Sequence, residues 1–208
     1  MGLRRVLYLM LFFLFALGCS KEGVERMDDF LLDFATVNKS SGKTYFILDN
    51  YRVLVPTIEP TQSWNEGQRV GINYTLLNGD TIKINSVSEI YTGQLKYIDE
   101  EEEIEDDPIK IESVWVGGSH LNIIFYAEYY DTPHIIKLFY NIDDNSEAKL
   151  YLGYSRNGDS PGYSKKMYSS FNLADIQSES DDSTTFKLSI NTFAGLRVYE
   201  FAVSGKRR

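Results

Sequence analysis

The sequence predicts an all-β protein of two parts, a small N-terminal barrel followed by a C-terminal antiparallel β-sandwich. Three observations carry this. Fifteen tyrosines and twelve phenylalanines bias the 208 residues towards half-buried pleated surfaces. Apolar residues recur with period two in short runs separated by Gly, Asn, Asp and Pro. Past the leader, no stretch keeps a helical period for more than about two turns.

The leader comes first in the chain. Arg4 and Arg5 precede Val6 to Leu17, which carry no charge, and Gly18 precedes Cys19, the one cysteine. About 12 apolar residues are too few to cross a bilayer, which needs ~20, but they suit the core of a secretion signal. A segment ending Ala16-Leu17-Gly18-Cys19 resembles a bacterial lipoprotein signal. Residues 1–18 are then removed, Cys19 takes acyl chains that hold the protein at the membrane, and residues 19–28 form a polar tether. Losing Arg4 and Arg5 takes the formal net charge from −9 to −11. So acidic a chain is a poor partner for nucleic acid.

The barrel is expected over residues 29–98. Phe30 to Val37 and Thr44 to Leu48 flank a polar turn, and Arg52 to Val55 runs into Pro56, which should end its pairing. Trp64 lies in the following loop. Gln68 to Leu77 alternates, with Val70, Ile72, Tyr74 and Leu76 on one side and Arg69, Asn73 and Thr75 on the other. Asn78-Gly79 is a hairpin signal, and Thr81 to Tyr91 returns. Five strands in a meander suit a small closed barrel better than an open sheet with bare edges.

Eight of the nine residues from Asp99 to Asp107 are acidic, so residues 99–108 read as a solvated linker between domains. A cation site is the sharper alternative, but a linear run lacks the turn that would wrap carboxylates round one ion. The sandwich is expected over 109–208. Its strands are Ile109 to Val116, Leu121 to Ala127, Ile135 to Tyr140, Lys149 to Tyr154, Tyr163 to Phe171, Thr184 to Ile190 and Arg197 to Val203. Asn172 is placed to cap a single helical turn to Ile176.

Little in the chain speaks for catalysis. Its two histidines, His120 and His134, do not share a metal-ligand spacing, and no nucleophile elbow or phosphate-cradling loop occurs. His134 reads as a histidine bonded to backbone at a sheet end. Asp143, Asn145 and Glu147 start like a calcium loop, but Ala148 stands where glycine is required, which leaves an acidic turn. No enzyme activity, metal or cofactor is expected. The aromatics carry more: Trp64, Tyr126, Tyr129 and Tyr130 form a candidate surface for a protein partner or a glycan, since such side chains offer large area with few rotamers to freeze. The competing reading places them in the core.

Several stretches resemble a known family. FATVNKSSGKTYFILDN, EGQRVGINYTLL and IKINSVSEI are similar to the NigD-like lipoproteins of Bacteroidetes, as are DPIKIESVWVGGSHLNIIFYAEY and PHIIKLFYN. Ala35-Thr36-Val37, Gly67-Gln68-Arg69-Val70 and Trp115-Val116-Gly117-Gly118 are the most specific parts. The resemblance implies an OB-like barrel followed by a β-sandwich, residence at the outer membrane, and a suggested role in bacteriocin immunity; it supplies no catalytic residues. The tether Ser20-Lys21-Glu22 departs from the acidic run that follows the cysteine in many lipoproteins of that phylum. The functional expectation is a non-catalytic binding module of the envelope. A bacteriocin immunity protein is the alternative and a hydrolase ranks third.

Overall fold

A computed structural model describes residues 30–98, 104–142, 147–180 and 182–205. The expected signal peptide, Cys19 and the tether lie outside the described residues, as do the first half of the acidic stretch and Asp143 and Asn145. Among the described residues there are thirteen strands and no helix.

The first five strands are β1 (Leu31–Ser40), β2 (Lys43–Leu48), β3 (Val53–Pro56), β4 (Arg69–Asn78) and β5 (Thr81–Glu89). They close into a barrel in the order β1-β2-β3-β5-β4. Alternation decides its interior: Ala35, Val37, Phe46, Val70, Ile72 and Ile82 point inward and are fully buried. Tyr74 joins them, donating its hydroxyl to Asp33 at 2.8 Å, and burial helped by Asp33 pushes that phenol up to about 12. Pro56 does not end the pairing as expected. A short parallel pair between β3 and β5 closes the barrel there, and the N–H groups on either side of the proline, Val55 and Thr57, make the bonds to Asp80 and Ile82, each 2.9 Å.

The sandwich holds β6 (Tyr91–Tyr97), β7 (Lys110–Gly117), β8 (His120–Tyr129), β9 (Ile135–Ile142), β10 (Ala148–Ser155), β11 (Tyr163–Asn172), β12 (Thr184–Thr192) and β13 (Gly195–Val203). Their order is β13-β12-β10-β9-β6-β11-β8-β7. Strand β6 joins the two layers. Its first half pairs with β11 and its second half with β9, both parallel, and β10–β12 is parallel too. The remaining neighbours pair antiparallel. Between the layers lies one apolar cluster that includes Leu121, Ile123, Phe125, Leu150, Phe171 and Leu188.

Two boundaries differ from expectation. The segment expected to end the barrel at residue 98 leaves it at Ile90, because β6 finds its backbone partners in the sandwich. The second half of the acidic stretch is not a solvated linker either. Glu105 and Asp107 bond both backbone groups of Tyr154, at 3.0 and 2.8 Å, and Asn191 donates to the Asp106 carbonyl at 2.7 Å. Backbone pairing fixes this strap, and Ile104 packs against Gly153. After β11, Asn172 does cap a turn, accepting the Ala174 N–H at 2.8 Å.

Candidate binding cleft at the barrel–sandwich junction

The outer face of the barrel meets the outer face of the β7-β8-β11 layer. Phe34 projects from β1 onto Trp115 and Tyr168, with ring centroids 5.0 and 6.1 Å away. Beside them, Arg69 at the start of β4 is buried. Its guanidinium forks onto Asp49, with Nη1 to Oδ1 at 2.6 Å and Nη2 to Oδ2 at 3.2 Å. It also donates to Asn122 Oδ1 at 3.1 Å, Ser170 Oγ at 3.2 Å and Thr36 Oγ1 at 3.3 Å. Asn122 returns its NH2 to Asp49 Oδ2 at 2.8 Å, and Ser170 donates to Asn122 Oδ1 at 2.8 Å. A buried cation tolerates this position only because every face of its fork finds an acceptor.

Gly117 and Gly118 turn against the same carboxylate. A methyl at Gly117 would land on the Asp49 side chain, and one at Gly118, whose φ is +57°, would stand 3.2 Å from the Asp49 carbonyl oxygen. The two motifs Gly67-Gln68-Arg69-Val70 and Trp115-Val116-Gly117-Gly118 therefore meet in space. They are two halves of one interface.

Next to this network opens a cleft of about 350 Å³, lined by Gln68, Thr92, Gln94, His120, Ser170 and Asn172 over a floor of Gly67 and Gly93. Burial, with the Arg69 charge nearby, pushes His120 down to about 4, so its imidazole is neutral near pH 7. Gln68 and Asn172 spend their side-chain oxygens on backbone N–H groups of Asn65 and Ala174, which leaves their NH2 groups as donors. The cleft thus offers neutral hydrogen-bonding groups, while the one cation beneath it is already spent.

The other histidine is placed quite differently. His134 precedes β9, and its Nε2 lies 3.0 Å from Asp159 Oδ2, with both side chains wholly shut from solvent. Tyr154 bonds its other ring nitrogen. Asp159 also takes the backbone N–H groups of Tyr130, Asp131 and Thr132 at 2.8 to 3.2 Å. Burial works to raise this carboxyl, but the three N–H donors and His134 outweigh it and hold it well below the usual carboxylate range. An ionised Asp159 can only accept, so Nε2 carries a proton; Tyr154, pushed up to about 12 by burial and the Asp107 charge, keeps its phenol proton and shares a hydrogen bond with Nδ1. His134 was expected to bond only to backbone, but it is held instead by a carboxylate and a phenol. The sequence hid this partner because Asp159 lies 25 residues away in a turn.

The four aromatics do not form one surface. Trp64 is only 5% exposed, packed edge-on to Phe46 inside the barrel, and its Nε1–H has no partner among the described residues. Tyr126 and Tyr129 are half-buried. Tyr126 lies between Lys110 and Lys166, the latter paired with Glu112 at 2.7 Å, and the Lys165 ammonium stands 3.6 Å from the centre of the Tyr129 ring. Only Tyr130 of the four is largely exposed, at 63%. Trp64 therefore leaves the expected aromatic contact surface because it fills the barrel, while Tyr126 and Tyr129 stand half-buried beside lysine ammonium groups and Tyr130 is exposed.

Residues 91–203 match the NigD-like C-terminal beta sandwich domain. The chain belongs to the NigD-like family. The match begins at β6, where the structure turns from barrel to sandwich. Several solved structures share the complete fold. A NigD-like immunity protein from Bacteroides caccae superposes with a TM-score of 0.68 at 24% identity, over 85% of this chain and 97% of its own. A protein from Parabacteroides distasonis described as toxin-related gives 0.70 at 23%, over 84% and 93%. A candidate lipoprotein from Bacteroides fragilis gives 0.62 at 13%, over 86% and 98%. No curated protein matches the chain. At these identities the likeness establishes the fold of this NigD-like protein, barrel included.

Sequence reasoning missed Asp49, Asn122 and Asp159. It placed Arg69 on the solvent side of an alternating strand, and only its place in a family-like motif marked it out.

Proposed function

We propose that this NigD-like protein is a non-catalytic binding module of the cell envelope, held at the outer membrane through acylated Cys19, and that the junction cleft receives its partner. The observation that carries this is the cleft itself. It lies where two domains meet, as binding sites often do, and presents neutral donors and acceptors that the fold leaves unspent. A protein segment or a glycan supplies matching groups; nucleic acid does not suit an acidic chain whose cleft arginine is already neutralised. The test places a photo-crosslinking residue at Gln94 in the lipidated protein in its own cells, with the same residue at Ser160 as a distant control. A discrete adduct at 94 that is absent at 160 supports the cleft. Equal labelling at both positions, or at neither, removes it.

A second reading is immunity, in which the partner is a secreted toxin. The likeness to the Bacteroides caccae immunity protein favours it. Expression in a bacteriocin-sensitive strain tests this directly, and unchanged killing by the toxins of related strains counts against it.

A further inference from the structure

One end of the barrel concentrates exposed apolar side chains. Phe30 is 53% exposed, Leu32 55%, Leu76 37%, Leu77 55% and Val55 37%. Strand register makes them neighbours. Leu31 lies opposite Tyr74, so Leu76 and Leu77 sit just past it along β4, beside the entry of β1. Leu76 lies opposite Ile82 on β5, and the adjoining Thr81 lies opposite Val55 on β3. The five side chains follow one rim round the end that carries the Gly79–Asp80 turn.

One ion pair lies along this rim, between Arg52 and Asp80. Arg52 Nε lies 2.6 Å from Asp80 Oδ1, its Nη2 donates to the Gly79 carbonyl at 2.7 Å, and the Asp33 carboxylate accepts the Tyr74 hydroxyl. On a chain with a formal net charge of −9, an apolar end whose Arg52 and Asp80 are paired is a distinct surface.

The rim is also where the chain enters the fold. Phe30 is the eleventh residue after Cys19. Eleven residues span at most ~40 Å. The rim is therefore tethered close to the acyl chains, and its contact with lipid becomes an intramolecular event at high effective concentration.

We propose that this rim rests in the headgroup–acyl boundary of the membrane that anchors Cys19, so that the barrel end docks on lipid and the rest of the chain projects from it. The proposal depends on the anchoring reading above. Leucine and phenylalanine suit shallow insertion, and pairing with Arg52 lowers the desolvation cost that a lone Asp80 carboxylate would impose.

The test uses the full lipidated chain reconstituted in phosphatidylethanolamine–phosphatidylglycerol vesicles. Flotation with the vesicles, lost in Cys19→Ser, checks the anchor. An environment-sensitive fluorophore is then attached in Leu77→Cys and, separately, in Phe193→Cys, an exposed apolar position on the β12–β13 turn. Acylation of Cys19 leaves the introduced thiol as the one that reacts. The label at 77 should shift to the blue and lose most of its emission to nitroxide-labelled lipid, while that at 193 stays bright. If the protein floats but both labels stay bright, the anchor holds and the rim proposal falls. A label at 77 shielded from iodide yet untouched by lipid nitroxide means that protein covers the rim, which also overturns it. Failure to float removes the anchor, and the proposal with it.

Discussion

The Arg69 network makes the sharpest demand on stability. Arg69→Met keeps the length of the side chain and removes the guanidinium, leaving the Asp49 carboxylate, whose side chain is 17% exposed, with Asn122 as its remaining side-chain donor. Breaking a buried ion pair by removing one partner costs about 3–5 kcal/mol. The partial exposure of Asp49 places this case near the lower end, about 3 kcal/mol. With a urea dependence of about 2 kcal/mol/M, typical for a domain of this size, the midpoint should fall by about 1.5 M.

The effect should also reach across the junction, since Asn122 and Ser170 belong to the sandwich while Arg69 and Asp49 belong to the barrel. Unfolding followed by near-UV circular dichroism should become broader or split in the variant. The double variant Arg69→Met with Asp49→Asn removes both charges and keeps the packing beside Gly117. It should recover a large part of the loss, because neutralising the stranded partner relieves the desolvation that the single change exposes. A cost below about 1 kcal/mol for the single change, or a double variant no more stable than the single, would refute the reasoning.

Three further outcomes follow from particular contacts. Gly117→Ala drives a methyl onto the Asp49 side chain and should cost about 1–3 kcal/mol by thermal or urea unfolding; an unchanged midpoint means the two loops separate readily. Trp64→Phe retains an edge contact with Phe46 and removes a buried donor that has no partner, so stability should stay within about 1 kcal/mol of the parent, and a larger loss reveals an acceptor for Nε1. His120 should titrate near pH 4 by imidazole NMR. Because its folded value lies below the ~6.5 of an unfolded histidine, its contribution to stability is complete above that pH and is lost as pH falls towards 4. A midpoint near 6.5 contradicts the buried, neutral imidazole.

Most of the fold was legible because period two survives in the strands that face one core. Val70, Ile72 and Tyr74 lie inside the barrel as the alternation of β4 requires. The same alternation misplaced Arg69, because a second domain covers the face that should have been wet, and alternation within one strand carries no information about a neighbouring domain. Strand β6 was missed for a related reason. Tyr91 to Tyr97 has a weak pattern, since its halves serve two layers and only Leu95 is deeply buried. Acidic residues misled at Glu105 to Asp107, where the backbone pairs while the carboxylates do not decide the conformation. The junction cleft could not be read at all. Its residues come from barrel and sandwich positions more than a hundred residues apart, such as Gly67 and Asn172, and only the family-like motifs hinted that they converge.

The two histidines divide between them what a hydrolytic site needs in one place. His134 has an ionised carboxylate and a phenol as hydrogen-bond partners, the arrangement of an oriented base, but its side chain and that of Asp159 have no solvent contact. His120 faces a cleft that could admit a ligand, but burial keeps it neutral to about pH 4 and neither a carboxylate nor a hydroxyl bonds its ring among the described residues. The Asp159 contacts have a simpler role: they gather the N–H groups of residues 130–132 and tie the β8–β9 connection to the β10–β11 turn. The hydrogen-bonding groups that the fold leaves unspent lie instead at the junction, where Gln68 and Asn172 keep their NH2 groups as donors.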